Sequence, residues 1–168
     1  IERIAPQSGS GQGYKLVYYV NLPIDTYWKF KTDFDNKFVN ENKYIIDHRL
    51  ISQHGNVAIT ENKYVHGPDV YFRWRTTVSR TDFKLTFVLL NPEQCQQRYH
   101  HGSIEVRPEG QRSRVTQVAY FDFWGASFWA HYPWKGGMKY MLAYTARWEQ
   151  SMALRLKYRY DENTNQAH

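Results

Sequence analysis

An acidic side chain surrounded by aromatic rings is the first feature of this sequence that could take part in chemistry. Asp122 lies in residues 120–134, YFDFWGASFWAHYPW, where eight of fifteen side chains are aromatic. Apolar surroundings raise the pKa of a carboxyl group, so Asp122 could act as a general acid or base. The same carboxylate could instead bond to a nearby tyrosine or arginine and hold its strand. Asp122 is therefore a candidate catalytic residue with an open structural alternative.

The other polar residues do not form a recognisable catalytic set. The sequence shows neither a Ser-His-Asp nor a Cys-His arrangement. Several polar residues alternate along predicted strands, but a single sequence does not fix which face they occupy: His48, Glu61, Tyr99, His101 and Glu105.

The sequence predicts neither a metal site nor a cofactor. His100 and His101 are adjacent on a predicted strand and point to opposite faces, which is poor chelating geometry. The motifs HExxH and CxxC are absent, and the single Cys95 excludes a disulfide within the chain and a multi-cysteine zinc site. The glycines of residues 9–13 precede a strand rather than a helix, unlike a phosphate-binding loop.

Positive charge is concentrated in the last third of the chain. The net charge is +6, and residues 111–160 contain eight basic and two acidic side chains. Such a region could meet an anionic membrane surface or ligand, or it could be a solvated helix face. Nucleic-acid binding is not favoured: Phe72 and Trp74 alternate with arginines, which places rings and charges on opposite faces, whereas a stacking platform needs them together.

The aromatic residues after the last predicted strand are candidates for a lid or an entrance. Gly125 and Pro133 favour a loop here. Three hypotheses stay open: a lid over a ligand, a rim touching an anionic membrane, and a plug folded into the open end of the sheet. The residues concerned are Phe128, Trp129, Tyr132 and Trp134.

The elements that must position these residues are mostly strands. Apolar alternation and turn signals predict seven strands and an antiparallel meander, at residues 14–22, 44–53, 57–65, 70–80, 83–90, 98–106 and 114–124. Two short helices follow the first strand, at residues 24–30 and 35–42. An apolar stripe at spacings of three and four predicts a long helix over residues 136–158. The stripe consists of Met141, Tyr144, Thr145, Trp148, Met152 and Leu156.

This order of elements resembles the START-like superfamily, also called helix-grip or SRPBCC, and within it the polyketide cyclase/dehydrase and lipid-transport group. The resemblance covers residues 14–158 and is carried by the Leu22-Pro23 strand end, the Trp28 helix, the Gly55-Asn56 hairpin, the strand 114–124 and the Met141/Trp148/Met152 helix. It implies an α+β fold in which a curved antiparallel sheet of about seven strands wraps around the long C-terminal helix and leaves a cavity. The glycine-rich loop of the pollen-allergen branch is missing, which argues against plant-hormone binding.

We expect the ligand to contact the uncharged faces of the strands and the apolar face of the helix. Methionine and aromatic side chains suit an apolar ligand, although each of these residues could equally be ordinary core. The predicted ligand-binding residues are Phe72, Trp74, Leu85, Phe87, Tyr120, Asp122, Met141, Thr145, Trp148 and Met152.

The predicted function is binding of a hydrophobic small molecule or lipid by a carrier, sensor or sequestering protein. The alternative is an enzyme of the polyketide cyclase/aromatase kind, with Asp122 or a pocket tyrosine as proton donor. A third alternative is a protein-interaction module with a solid core.

The domain organisation is simple. We expect a flexible Gly/Ser/Pro-rich segment at residues 1–13, one ligand-binding domain at residues 14–160 and a polar tail at residues 161–168. No apolar run approaches the ~18–20 residues of a membrane span. The start at Ile1 and the linker-like composition lean towards an exported or periplasmic domain whose signal or anchor lies outside this sequence, and the compartment stays open.

Overall fold

The computed structural model describes residues 1–124 and 137–161. Its eight strands form one antiparallel sheet in the order β1-β2-β8-β7-β6-β5-β4-β3. The strands are β1 (Glu2–Ile4), β2 (Gln12–Val20), β3 (Ile45–His54), β4 (Val57–Tyr64), β5 (Phe72–Ser79), β6 (Lys84–Leu89), β7 (Gln97–Glu109) and β8 (Arg112–Phe123). The helices are α1 (Ile24–Lys31), a 3-10 helix (Lys37–Glu41), α2 (Gly137–Arg155) and α3 (Lys157–Asp161).

The sheet is a meander closed by an early strand. Strands β3 to β8 pair in sequence order, and β2 pairs with the last of them, from Gln12↔Phe121 to Val20↔Ser113. The face of the sheet towards α2 is called the inner face here, and the other is the outer face. On β2 the inner face carries the buried residues Tyr14, Leu16, Tyr18 and Val20. This alternation is what fixes the register of a half-buried sheet.

Helix α2 packs directly on β2. The Gln150 side chain donates a hydrogen bond from Nε2 to the Tyr19 carbonyl oxygen over 2.7 Å. After Gly137, the buried residues of α2 recur every three or four positions: Met138, Leu142, Ala146, Glu149 and Ala153, with Met152 beside them. The stripe expected from the sequence is therefore rotated, because Met141, Tyr144, Thr145 and Trp148 lie on the half-buried flank of the helix.

The predicted helix-grip α+β fold is confirmed, with differences at the chain ends. All seven predicted strands, both short helices and the long helix are found, and β1 is an additional strand inside the segment expected to be flexible. It pairs antiparallel with β2 through Arg3↔Tyr14. Residues 5–11 therefore turn the chain back on itself rather than serving only as a linker. At the other end, α2 stops at Arg155 and α3 follows it.

Membrane-spanning helices were sought in the two described ranges. None of the helices there combines the length and the apolar character needed to cross a bilayer.

Candidate functional site

A cavity of about 310 Å³ lies between the inner face of the sheet and α2. Its apolar wall consists of inward side chains of β5, β6 and β7 facing the first turns of α2. Because successive side chains of a strand point to opposite faces, alternate residues of each strand reach this wall. The apolar wall residues are Trp74, Leu85, Phe87, Ile104, Met138, Met141 and Leu142.

Five of the predicted ligand-binding residues line this cavity: Trp74, Leu85, Phe87, Met141 and Thr145. Phe72 is buried on the same face of β5 but lines a small side chamber instead. The structure thus brings the strand and helix residues of the prediction to one place. Their contact with a ligand stays a prediction.

Trp148 and Met152 do not line the cavity. The Trp148 ring packs 5.9 Å from that of Phe38, and Met152 is buried in the main core. Met152 follows the stretch Met138–Glu149, which supplies every contact of α2 with the cavity, and Trp148 lies within that stretch without lining the cavity. A stripe of apolar residues on one helix therefore serves two purposes, with the cavity at its start and the core at its end.

Tyr120 and Asp122 face away from the cavity, contrary to the expectation. Their neighbours Ala119 and Phe121 are buried on the inner face, so alternation along β8 places Tyr120 and Asp122 on the outer face. Asp122 Oδ2 accepts hydrogen bonds from Ser10 Oγ at 2.8 Å and from Arg98 Nη1 at 3.0 Å. The arginine contact of the structural alternative is the one found, and it removes the geometric basis for Asp122 as a catalytic residue.

The residues predicted to form a lid or an entrance lie outside the described residues. These are Phe128, Trp129, Tyr132 and Trp134. The lid, rim and plug hypotheses therefore stay predictions from the sequence.

A buried carboxylate marks one end of the cavity. Glu149 Oε1 accepts hydrogen bonds from the Tyr18 hydroxyl at 3.0 Å and from the Tyr27 hydroxyl, and Oε2 accepts one from Lys31 Nζ at 2.7 Å. We call these four residues the Glu149 cluster. Tyr18, Lys31 and Glu149 line the cavity, and Tyr27 lies behind them.

The electrostatics of the Glu149 cluster keep both phenols protonated. Burial raises the pKa of Tyr18 and of Tyr27 well above the usual value of 10.0, and the adjacent Glu149 charge raises both further. The two hydroxyls are therefore hydrogen-bond donors rather than proton sources at neutral pH. The sequence analysis missed this cluster. The signal was present, because Glu149 lies three residues after Ala146 and four before Ala153, on the buried face of α2.

A side chamber of about 30 Å³ adjoins the cavity and shares five lining residues with it: Tyr64, Trp74, His100, Met138 and Met141. His100 Nδ1 lies 3.0 Å from Gln97 Oε1. Burial lowers the pKa of His100 from 6.5 to about 3, with a smaller effect of His101, so the ring is neutral. Gln97 is the second residue that sequence reasoning missed.

The described part of the chain offers no cluster for a metal ion. Within residues 1–124 and 137–161, no three side chains among His, Cys, Asp and Glu are close enough together to hold one. Cys95 is buried with its pKa raised to about 12 by burial, so its thiol is a poor nucleophile.

Comparison with known proteins gives structural neighbours only. No protein-family model matches the sequence, and no curated protein is detectably similar to it. ZhuI aromatase/cyclase from Streptomyces sp. R1128 superimposes with a TM-score of 0.69 at 10% identity, covering 86% of this chain and 94% of that one. A point mutant of Thalictrum flavum norcoclaurine synthase, in complex with a transition-state analogue, gives 0.63 at 12% identity, covering 94% and 99%. Ara h 8.0201 gives 0.60 at 9% identity, covering 85% and 97%.

These neighbours establish the architecture of the chain. The chain has the helix-grip fold, as the order of its elements predicted. At such identities the likeness extends to the fold and not to individual site residues.

Proposed function

We propose that this chain binds a hydrophobic small molecule or lipid in the cavity between the sheet and α2, as a carrier, a sensor or a sequestering protein. The supporting observation is a 310 Å³ space with aromatic and aliphatic walls and a polar cluster at one end. Ligand sites in proteins are concave, mostly apolar and equipped with a few polar groups that fix orientation. A protein whose core served only stability would be packed without such a space.

The cavity favours a compact amphipathic ligand. Its volume lies at the lower end of the ~300–1,000 Å³ typical of ligand pockets. Met138 and Met141 allow the wall to adapt to an irregular shape, because methionine is flexible and polarisable. At the end of the cavity formed by Lys31 and Glu149, a polar group of the ligand is favoured over hydrocarbon. Hydrocarbon packed against these two charged side chains would leave their charges poorly solvated.

Native mass spectrometry of freshly purified protein, followed by organic extraction, tests the proposal. Thr76 and Thr77 are adjacent on β5, and Thr76 lines the cavity while Thr77 is exposed on the outer face. We expect the wild-type protein and Thr77→Trp to carry an extractable hydrophobic compound. In Thr76→Trp the indole would occupy the cavity, and we expect the compound to be lost.

Circular dichroism and the milder Thr76→Phe variant separate a filled cavity from a misfolded protein. Thr76→Phe should fold and carry less compound than Thr77→Phe. A wild-type protein that is purified without any bound compound and takes up no added apolar compound would contradict the proposal.

A cyclase/aromatase-like enzyme is the second candidate function. It is favoured by the Glu149 cluster, which places a carboxylate, a phenol and an ammonium group at the cavity, and by the fold shared with an aromatase/cyclase. Such groups can orient a substrate carbonyl and hold a proton beside it. Of the groups considered from the sequence, Tyr18 lines the cavity and offers a hydrogen-bond donor, whereas Asp122 faces the other way.

The two functions differ in what happens to the bound molecule. A carrier returns the extracted compound with unchanged mass after incubation, whereas an enzyme converts it. Tyr18→Phe sharpens the comparison, since it removes one hydroxyl and keeps the ring. An enzyme should lose turnover in Tyr18→Phe while it still binds, and a carrier should show no conversion in either protein.

Contact with an anionic membrane is a separate part of the proposal and rests on the sequence. The aromatic residues 120–134 precede the basic side chains of α2 and α3, and Trp and Tyr favour the membrane interface. Flotation with anionic and neutral liposomes tests it. Binding to anionic liposomes is expected, and failure to bind either kind would contradict membrane contact without affecting ligand binding.

A further inference from the structure

We propose that the face of α2 turned away from the sheet, continued by Tyr158 of α3, is a surface that lies on an anionic lipid bilayer. This inference rests on the membrane contact proposed above, and it assigns that contact to side chains of α2 rather than to residues 120–134.

Five residues of α2 point away from the sheet in a single line. Residues on one face of a helix recur every three or four positions, and the buried residues of α2 occupy the opposite face. The line consists of Tyr140, Tyr144, Arg147, Ser151 and Leu154, and we call it the outward stripe. Tyr144 is half-buried, and the other four are exposed.

The outward stripe carries large apolar side chains at its surface. Tyr140 is 65% exposed and Leu154 is 40% exposed, and Tyr158 on α3 is also 65% exposed. Tyrosine favours the boundary between water and hydrocarbon, because its ring is apolar and its hydroxyl is polar. Three such side chains along one surface can therefore settle at the headgroup level of a bilayer.

Cations without a carboxylate partner flank the outward stripe. Lys139 and Arg147 belong to α2, the Lys43 Nζ lies 4.2 Å from the centre of the Tyr144 ring, and the Lys157 Nζ lies 4.9 Å from that of Tyr158. Within residues 1–124 and 137–161, none of these four cations forms an ion pair. The carboxylate that α2 does contain is buried in the Glu149 cluster. This surface is therefore positively charged, and anionic lipid headgroups complement it.

The chemistry of the surface favours a bilayer over another macromolecule. A second copy docked through the same face would bring like charges together, because an isologous interface pairs a patch with itself. A nucleic acid would neutralise the cations but would leave Leu154 without apolar contact. An anionic bilayer satisfies both, since its headgroups meet the cations and its acyl boundary accepts the apolar side chains.

The outward stripe also borders the cavity. Tyr44 and Thr145 line the cavity, and the Tyr44 ring packs edge-on against the Tyr144 ring with their centres 5.2 Å apart. Beside this contact, Asn42 Nδ2 donates a hydrogen bond to Thr145 Oγ1 at 3.4 Å. A bilayer on this face would thus lie next to one wall of the cavity, which gives an apolar ligand a short path between the two.

Flotation with phosphatidylcholine vesicles, with and without phosphatidylserine, tests the surface. Wild-type protein should float only with the phosphatidylserine vesicles, and less so as salt is added. Each cation near the surface is worth about fivefold in partitioning, so Lys139→Gln combined with Arg147→Gln should reduce it by about twentyfold. Arg75→Gln combined with Arg80→Gln is the matched control, because it removes two exposed cations from the sheet and its turn.

A fluorescent label reports which face touches the bilayer. Ser151→Cys carries an environment-sensitive nitrobenzoxadiazole label on the outward stripe, and Thr77→Cys carries it on the outer face of the sheet. The native Cys95 is buried and should stay unlabelled. The emission of the Ser151→Cys label should shift to the blue with phosphatidylserine vesicles, and that of the Thr77→Cys label should not.

The outcomes separate the surface from the membrane contact on which it rests. Equal partitioning of the two double variants, or a blue shift only at Thr77→Cys, would overturn the outward stripe and leave membrane contact intact. Failure of wild-type protein to float with either vesicle would overturn membrane contact together with the stripe. Binding of a single-stranded RNA without vesicle binding, lost in the Lys139→Gln and Arg147→Gln double variant, would assign the face to nucleic acid and also overturn the proposal.

Discussion

The Glu149 side chain is only 8% exposed, and its carboxylate accepts hydrogen bonds from three side chains, one on β2 and two on α1. The cluster joins β2, α1 and α2, so it both stabilises the fold and forms the polar end of the cavity. A buried charge is tolerated only with partners, because its desolvation is expensive. Lys31, at 13% side-chain exposure, depends on Glu149 in the same way.

Glu149→Gln tests the structural weight of this cluster. The substitution keeps the shape of the side chain but leaves the Lys31 ammonium without its counter-charge, so we expect the free energy of unfolding to fall by about 2–4 kcal/mol. Chemical denaturation measures it. Glu41→Gln is the control, since its ion pair with Arg155 is exposed and should contribute less than about 1 kcal/mol. Equal effects of the two variants would contradict the assigned role of Glu149.

His100 predicts a pH-dependent stability. The unfolded chain takes up a proton on this ring below about pH 6.5, whereas the folded ring stays neutral until about pH 3. Its contribution to stability is therefore complete above pH 6.5 and is lost as the pH falls towards 3. Each pKa unit corresponds to about 1.4 kcal/mol, so between pH 7 and pH 4.5 wild-type protein should lose about 2–3 kcal/mol more than His100→Gln.

Denaturation midpoints at several pH values provide the measurement. Carboxyl groups titrate in both proteins and cancel in the comparison. Parallel pH profiles of wild type and His100→Gln would show that the ring is solvated in the folded state.

Residue patterns predicted the apolar wall better than the polar groups. Trp74, Leu85 and Phe87 followed from alternation, because only one face of β5 and β6 lacks charges. The error at Asp122 came from weighing its aromatic neighbours in sequence, although the neighbours of a strand residue point to the opposite face. Gln97 was out of reach, since the irregularity that turns it inward leaves no sign in the residue pattern.

At the scale of elements, the cavity depends on how closely β7 and β8 approach around Gly102. A Cβ atom at this position would lie 2.0 Å from the Val118 carbonyl oxygen and 2.6 Å from Cζ of Phe87. Gly102 thus leaves room for the Phe87 ring, which forms part of the cavity wall.

Gly102→Ala should displace the Phe87 ring or separate the two strands. Overpacking of this kind lowers the free energy of unfolding by about 1–3 kcal/mol. The affinity for an apolar probe of the cavity, the rigid aromatic ketone 9-fluorenone, should fall with it. Gly9→Ala is the matched control, because its Cβ would have no atom within 4 Å. Unchanged stability and binding in Gly102→Ala would mean that the wall does not depend on this close approach.

The elements themselves were largely predictable, and their edges were not. Period-two and period-3.6 patterns located the strands and the long helix, since those patterns record which face is buried. Strand β1 was missed because Glu2–Ile4 has too few residues for a pattern and is stabilised by pairing with β2. The apolar stripe of α2 was rotated in the prediction because Met141 and Thr145 face an open cavity rather than the core.

At the scale of the whole molecule, the order of elements predicted the architecture, because few arrangements bury a meander and one long helix together. The existence of the cavity could not be derived in the same way. Whether the sheet and α2 enclose a space depends on the summed volumes and packing of side chains from seven strands, and a linear pattern does not contain that information. The cavity also has a thermodynamic consequence, since unfilled space forfeits packing contacts.

Filling the cavity with a ligand should therefore raise the stability of the whole chain. A ligand that binds only the folded state adds RT ln(1 + [L]/Kd), about 1.4 kcal/mol at ten times Kd, which corresponds to roughly 3–6 °C in Tm for a chain of this size. Protein freed of bound compounds by organic extraction and refolding should show this shift with 9-fluorenone in thermal denaturation. Thr77→Trp should respond like the wild type, because its indole lies on the outer face. Thr76→Trp should not respond, and a full shift in that variant would place the binding site outside the cavity.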